Sequence, residues 1–310
     1  MTDFTQLTDP ADWLPAVRQR LCEAYQATGL PDAAATAYTD TILEKSGEWT
    51  ATAVLDDGGR RVGLVATHLV ERVGELAGWV RALWTDPALD GTGEHRRAAL
   101  EWAERWCAER GAAQVKVRLA EPDPLFAAYR PTGSARIKPV GAAAEEPGVL
   151  GGVSWRPLSE AEYPAWLAHE QEAYAGDMLR SGGWTAEQAR ETSAQDFARL
   201  LPDGPATADN ALIVMEAGGE VIGHGWLRHR HLPGVTFGYG LQVHPRFRGQ
   251  GHGRAAMALG EQVVRAAGDE VLMLNVFGGN EVAMSLYSAV GYRVLEEYRA
   301  LALEQPAEER

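Results

Sequence analysis

The segment HPRFRGQGHGRAAMALGEQVV, residues 244–264, sets Arg246, Arg248 and Arg254 around Gly249, Gly251 and Gly253, then runs into an apolar stretch. Glycines at alternate positions remove the side chains that would cover the backbone amides. A loop of this kind feeding a helix directs N–H groups and the positive end of the helix dipole at one point, which is an anion cradle. The chemistry expected is therefore the holding of a phosphate-bearing ligand. A phosphate-cradling P-loop is excluded because no Gly-Lys-Ser/Thr follows the glycines. A dinucleotide site has a literal match in Gly251-His252-Gly253-Arg254-Ala255-Ala256, with Asp269 and Glu270 further on. Against it, Pro245 to Arg248 intervene between strand and glycines, and only two further strands follow, too few for a doubly wound sheet.

The elements that must position this loop repeat along the chain. Shifted by 158 residues, WTDPALDGTGEHRRAAL (84–100) falls on QVHPRFRGQGHGRAAMA (242–258), so that Pro87 meets Pro245, Gly91 meets Gly249, Gly93 meets Gly251 and Arg96 meets Arg254. The same register carries Tyr129 onto Tyr287 and Gly133 onto Gly291. One register kept over about fifty residues marks a tandem repeat of one domain type. KPVGAAAEEPGVLGGV (138–153) has no apolar period and reads as a linker. The expected division is a first domain over 1–140, a linker over 141–152 and a second domain over 153–310.

In the second repeat a short strand leads into an amphipathic helix closed by Gly182-Gly183. Thr185 with Gln188 forms a capping box at the next helix, and Gly218-Gly219 joins two strands as a hairpin. GVTFGYGLQVHP is a third strand ended by Pro245. A helix over about 251–267, the strand EVLMLNVF, a helix from NEVAMSLYSAVG with Gly291 as cap and a last strand YRVLEEYRALAL complete the pattern. The fold class expected is α+β: two tandem domains, each a central mixed β-sheet flanked by helices.

Composition narrows the partners. The 310 residues are 45% apolar and 23% charged, as in soluble globular proteins, and the net charge is −14. That charge repels nucleic acid and anionic membranes, so a local basic loop is the more informative. The opening MTDFTQLTDPADW lacks the apolar core of a secretory signal, and no apolar run approaches the ~18 residues of a span. Cytoplasmic location is expected. Cys22 and Cys107 lack metal-ligand spacing, so neither a disulfide framework nor a metal site is expected.

From Leu241 to Tyr292 the chain resembles the GNAT superfamily of acetyl-CoA-dependent N-acetyltransferases. Arg248-Gly249-Gln250-Gly251-His252-Gly253 is similar to that family's Arg/Gln-x-x-Gly-x-Gly/Ala signature in full. LNVFGGNEVAMSLYSAVGY resembles its second motif, with Asn280, Ala283, Leu286, Tyr287, Gly291 and Tyr292 in place. The resemblance implies that Gln250, Gly251, Gly253 and Arg254, opened by Arg248 and Gly249, line the pyrophosphate of acetyl-CoA. It implies that the backbones of Leu241 and Val243 pair with the pantetheine arm and the acetyl carbonyl, and that Asn280 bonds the arm. Asn280 reads equally as a plain helix N-cap. Tyr287 matches the tyrosine that protonates the departing thiolate in many members, and a phenol can do so without itself being charged at pH 7.

Many relatives place a carboxylate base on the strand corresponding to TFGYGLQV, where this chain has Tyr239 between two glycines. His224, His229, His231, Glu172 and Asp177 stay open for that role. FARLLPDG (197–204) resembles a substrate-side loop of one bacterial subgroup. In the first repeat Asp90, His95 and Pro122 stand at the positions of Arg248, Gly253 and Asn280, so the first copy reads as degenerate; an internal pseudo-dimer is one arrangement such a tandem allows. The function implied is acetyl transfer from acetyl-CoA to a primary amine, on a small metabolite, an antibiotic or a peptide N-terminus, by direct attack in a ternary complex. The alternative from another class is a non-catalytic acyl-CoA-binding regulatory or assembly protein.

Overall fold

The computed structural model describes residues 1–72, 75–141, 152–181 and 184–303. The expected linker lies almost wholly outside these residues, as does the Gly182-Gly183 helix stop. The two repeats run through the same elements but for one helix. The first has β1 (Asp3–Leu7), α1 (Leu14–Thr28), α2 (Asp32–Leu43), β2 (Thr50–Leu55), β3 (Arg61–Arg72), β4 (Glu75–Thr85), α3 (Glu94–Ala108) and β5 (Gln114–Leu119), followed by β6 (Arg130–Pro139). The second has β7 (Val153–Pro157), α4 (Tyr163–Ser181), α5 (Ala186–Leu200), β8 (Asn210–Ala217), β9 (Glu220–Leu232), β10 (Val235–Val243), α6 (His252–Ala266), β11 (Val271–Phe277), α7 (Glu281–Ala289) and β12 (Arg293–Ala302). Where α7 stands in the second repeat, the first has a single 3-10 turn, Pro124–Phe126.

The compact units do not follow the 1–140 and 153–310 division. Unit 1 comprises Met1–Ala135, Val276–Gly279 and Val294–Arg310; unit 2 comprises Arg136–Asn275 and Asn280–Arg293. In unit 1, β12 pairs antiparallel with β5, from Glu297↔Leu119 to Ala302↔Gln114. Two tyrosines and an arginine hold it there. Tyr25 and Tyr38 donate their hydroxyls to the Glu296 carboxylate, the latter at 2.9 Å, and Arg118 lies 3.7 Å from it. Glu296 is 1% exposed, and a charge so buried persists only with such partners. In unit 2 the second half of β6 continues into Val140, whose N–H donates to Glu270 O at 2.8 Å. The hydrophobic pattern marks a strand but not its neighbour, since every strand offers the same backbone donors and acceptors.

In unit 2, β7 to β10 form an antiparallel run and β11 joins β10 in parallel. Gly218 and Gly219, both at positive φ, close the β8–β9 hairpin as the sequence predicts. The predicted capping box at Thr185 and Gln188 opens α5. Along α6, Ala256, Met257, Leu259, Gly260, Val263 and Val264 are buried, the 3.6-residue period of a helix with one face in the core. That face packs with Leu272, Leu274, Met215 and Ile222. An aromatic cluster of Trp166, Phe197 and Trp226 anchors α4 and α5 to the strands. Cys22 and Cys107 are free thiols. Among the described residues no helix is long and apolar enough to cross a membrane.

Candidate active site

The site begins where two strands part. β10 and β11 pair in parallel only from Val235↔Val271 to Gly238↔Leu274, while β10 stays with β9 as far as Val243↔Gly223. A bulge between Gly238 and Gly240 re-aims β10 at that point. His244 N–H donates to Ile222 O, at 2.8 Å, on the β9 side. Because backbone groups alternate along a strand, those of Val243 and Leu241 turn the other way, toward the parted edge. Two peptide groups thus line a gap beside β11.

The loop follows directly. His244 leads into a 3-10 turn, Pro245–Phe247, and Arg248 returns its Nε to donate to Val243 O at 3.0 Å, fastening loop to strand. Gln250 Nε2 donates to Arg246 O at 3.2 Å. Gly249 (φ 76°) and Gly251 (φ 86°) occupy left-handed conformations, and Gly251 is the N-cap of α6 without any side-chain cap. Gly253 sits in tighter space: a Cβ there would lie 3.3 Å from Leu286 Cδ2, which would have to shift slightly. Arg248, Gln250 and Arg254 are exposed, so charge and uncovered amides face the same solvent.

Asn280 is the N-cap of α7, its Oδ1 accepting from Ala283 N at 3.1 Å. The capping reading holds, and its Nδ2 donors have no protein partner among the described residues. Tyr287, one helical face on, packs in the same apolar cluster as Leu241, Leu274 and Met257. Burial raises its phenol pKa, opposed by the charge of Arg136, so the hydroxyl stays protonated at neutral pH. Its ring lies 5.6 Å from that of Tyr292.

On the other face of β9 and β10 a cavity of about 370 Å³ opens against α4, lined by Glu162, Trp166, His169, His224, Gln242 and His244 together with Ala165, Pro245 and Arg248. His169 Nε2 and Gln242 Oε1 are 2.9 Å apart, joining helix to strand. Burial lowers the His224 and His244 pKa values, and each lies beside further positive groups, so both rings are neutral at pH 7. Glu162 takes two hydrogen bonds from Arg156 and further ones from Ser159, which hold its carboxyl well below the usual carboxylate range. Glu170, two turns along α4, lines a smaller adjoining cavity with Trp166, His224 and Gly240. Burial raises its pKa, His169 opposing.

Of the residues left open as a base, His224 lines this cavity and Tyr239 stacks on Trp226 beside it, with centroids 4.4 Å apart. The others lie elsewhere. His229 bonds Thr236 near Asp269, His231 packs on Phe237, Glu172 pairs with Arg190 and Asp177 with Arg180. Phe197 and Leu201, from the FARLLPDG segment, belong to the aromatic cluster beneath Trp166 and Trp226. Sequence reasoning passed over His169, Glu170, Gln242 and His244. The spacing of Trp166, His169 and Glu170, three and one residues apart, puts them on one face of α4 and was the available signal.

The loop of the first repeat has the same path and a different interior. Gly93 keeps the left-handed N-cap (φ 68°) of α3. Asp90, 7% exposed, accepts from His95 N at 3.1 Å and Arg96 N at 2.9 Å, so a carboxylate fills the mouth of the helix. Burial opposes its ionisation, but the bonds from His95 N–H, Thr85 and Arg96 N–H outweigh it and lower the pKa. The His95 ring turns to Thr2 Oγ1, 2.9 Å away. Tyr129 is 2% exposed and donates to Glu104 at 2.9 Å.

With this geometry in hand, comparison with known proteins decides the family. The Acetyltransferase (GNAT) family model matches residues 158–292. The uncharacterized N-acetyltransferase YdgE of Bacillus subtilis (strain 168) is 30% identical over 138 residues, 44% of this chain and 88% of that protein. The chain belongs to the GNAT family. A second uncharacterized N-acetyltransferase of that organism, YycN, is 29% identical over 140 residues, 44% of this chain and 90% of the relative. A solved GCN5-related N-acetyltransferase from Sphaerobacter thermophilus shares the fold over 96% of this chain and 94% of that one, with a TM-score of 0.58 at 18% identity. This GNAT protein is therefore an acyltransferase, of a family whose members take their acyl group from acetyl-CoA and act on amine acceptors.

Proposed function

We propose that the second repeat transfers the acetyl group of acetyl-CoA to a primary amine by direct attack in a ternary complex, with no covalent enzyme intermediate. The observation that carries this reading is the parting of β10 from β11 next to an uncapped, glycine-lined helix N-terminus. One end of that feature suits a pantetheine arm, the other a pyrophosphate. Leu241 and Val243 would bond the arm through their backbones, and Asn280 through its Nδ2. The amides around Gly249, Gln250, Gly251 and Gly253, with Arg248 and Arg254, would hold the pyrophosphate against the helix dipole. Acetyl-CoA supplies an activated thioester. Tyr287 would give its proton to the departing sulfur, a role consistent with a neutral phenol packed on the same apolar cluster as Leu241. The cavity of about 370 Å³ across β10 has the volume of a small-ligand site, which favours a small-molecule amine over a folded protein surface. The first repeat, its cradle filled by Asp90, would bind no acyl donor.

Incubation with acetyl-CoA and a pooled amine library, scored by thiol release and by a mass gain on one amine, tests the reading. Tight acetyl-CoA binding with no amine acetylated would overturn it. A thermal-shift comparison separates the donors: acetyl-CoA is expected to raise Tm, and NADH to leave it unchanged.

A further inference from the structure

We propose that Glu170, from helix α4, is the base that takes the proton from the incoming ammonium. This rests on the acetyl-transfer reading and assigns the one role that the strand itself leaves empty. Where a carboxylate on β10 would be expected, Tyr239 turns to stack on Trp226, and Gly238 and Gly240 flank it at the bulge. Gly240 leaves the space that the helix fills: Glu170 Oε2 lies 3.8 Å from where a Cβ on Gly240 would stand. The small cavity around that carboxylate shares Trp166, His224 and Gln242 with the 370 Å³ cavity. Its wall also includes Leu241, which on its other side packs in the cluster holding Tyr287. Base and acid thus flank one strand, at the bulge where β10 leaves β11.

Glu162, just before α4, and Glu170, on it, differ in their surroundings. Glu162 is tied to Arg156 and Ser159 and is a poor proton acceptor. Glu170 has no hydrogen bond or ion pair among the described residues, and burial raises its pKa toward neutrality. The titratable groups facing it are His169 on its own helix and His224 on β9, with His244 behind His224; no α5 residue lines the cavity.

The step balances. The ammonium gives one proton to the Glu170 carboxylate, and the freed nitrogen lone pair forms the bond to the acetyl carbon as the carbon–sulfur bond breaks. Tyr287 protonates the sulfur and regains its proton from solvent, where the second nitrogen proton is lost. The net product beside amide and free thiol is one proton, released from Glu170.

The test is Glu170→Gln, with Glu170→Asp as the conservative variant. Removal of a general base is expected to lower kcat/KM by about 100-fold or more, with acetyl-CoA Kd within about twofold of the wild-type value. The acid limb of the pH–kcat/KM profile should disappear in Gln and persist in Asp, which should retain part of the activity. A second readout is independent of turnover. A carboxyl whose pKa rises on folding makes the folded state less stable as pH increases. Glu170→Gln should therefore melt above the wild type at pH 8, with a gain that shrinks toward pH 5. Activity within threefold of wild type, an unchanged acid limb, or no gain in Tm overturns the assignment alone. Wild-type protein that binds acetyl-CoA but acetylates no amine overturns the acetyl-transfer reading and this assignment with it.

Discussion

The loops at 86–97 and 244–255 share a scaffold and differ in what sits at the helix mouth. Both end a strand, turn through a left-handed glycine and open a 15-residue helix. In the first, Asp90 supplies an internal anion to the amides of His95 and Arg96. In the second, the residue at that position is Arg248, which reaches back to Val243 and leaves the amides uncapped. An N-terminal helix turn needs acceptors. A protein can satisfy it from within, for stability, or leave it for a ligand. The tyrosines repeat the lesson, since Tyr129 donates to Glu104 in a buried cluster while the Tyr287 hydroxyl makes no hydrogen bond to protein among the described residues.

Four substitutions probe this contrast. The largest effect is expected from Tyr287→Phe, a loss of about 100-fold or more in kcat with acetyl-CoA Kd nearly unchanged; thiol release that survives undiminished would break the contrast between the tyrosines. Arg248→Asp copies the first loop into the second. It should weaken acetyl-CoA binding by about thirtyfold, ~2 kcal/mol by calorimetric titration, and unaltered affinity would mean that the loop does not meet the pyrophosphate. Asp90→Ala should cost about 1 kcal/mol of stability in urea unfolding at neutral pH, as for loss of an N-cap. Because folding lowers the Asp90 pKa, its contribution is present above the ordinary carboxylate range and disappears as pH falls through the folded value. The variant and wild-type curves should accordingly converge in acid. Tyr129→Phe is the smallest: about 0.5 kcal/mol of stability and no change in kcat, so a catalytic defect there would reverse the assignment of roles.

The glycine turns and helix caps were legible because their requirements are local. Positive φ at Gly249 and Gly251, and the capping box at Thr185, are demands of single turns, and residue types at fixed offsets reveal them. The lining of the cavities beside β10 was not. Glu170 and Glu172 sit two apart on one helix, yet one faces the β10 bulge and the other pairs with Arg190 on the surface. His224 and His229 lie on one strand, one in the cavity and one with Thr236. Residue type is alike within each pair; what differs is which neighbour packs against it. Gly253 shows a milder case, since the close contact beside it comes from Leu286 of a helix more than thirty residues downstream.

By itself the sequence determined the repeat, the order of elements in its second copy and the glycine turns that open α6 and α3, because periodicity, turn chemistry and helix capping act over a few residues. Only the tertiary structure decided that β12 completes the sheet of unit 1, where Tyr25, Tyr38 and Arg118 bind its Glu296. It alone put Glu170 beside Gly240. Strand partners and side-chain neighbours across helix and sheet are set by burial and packing of distant segments, and the pKa of a carboxylate follows from those neighbours rather than from its own residue type.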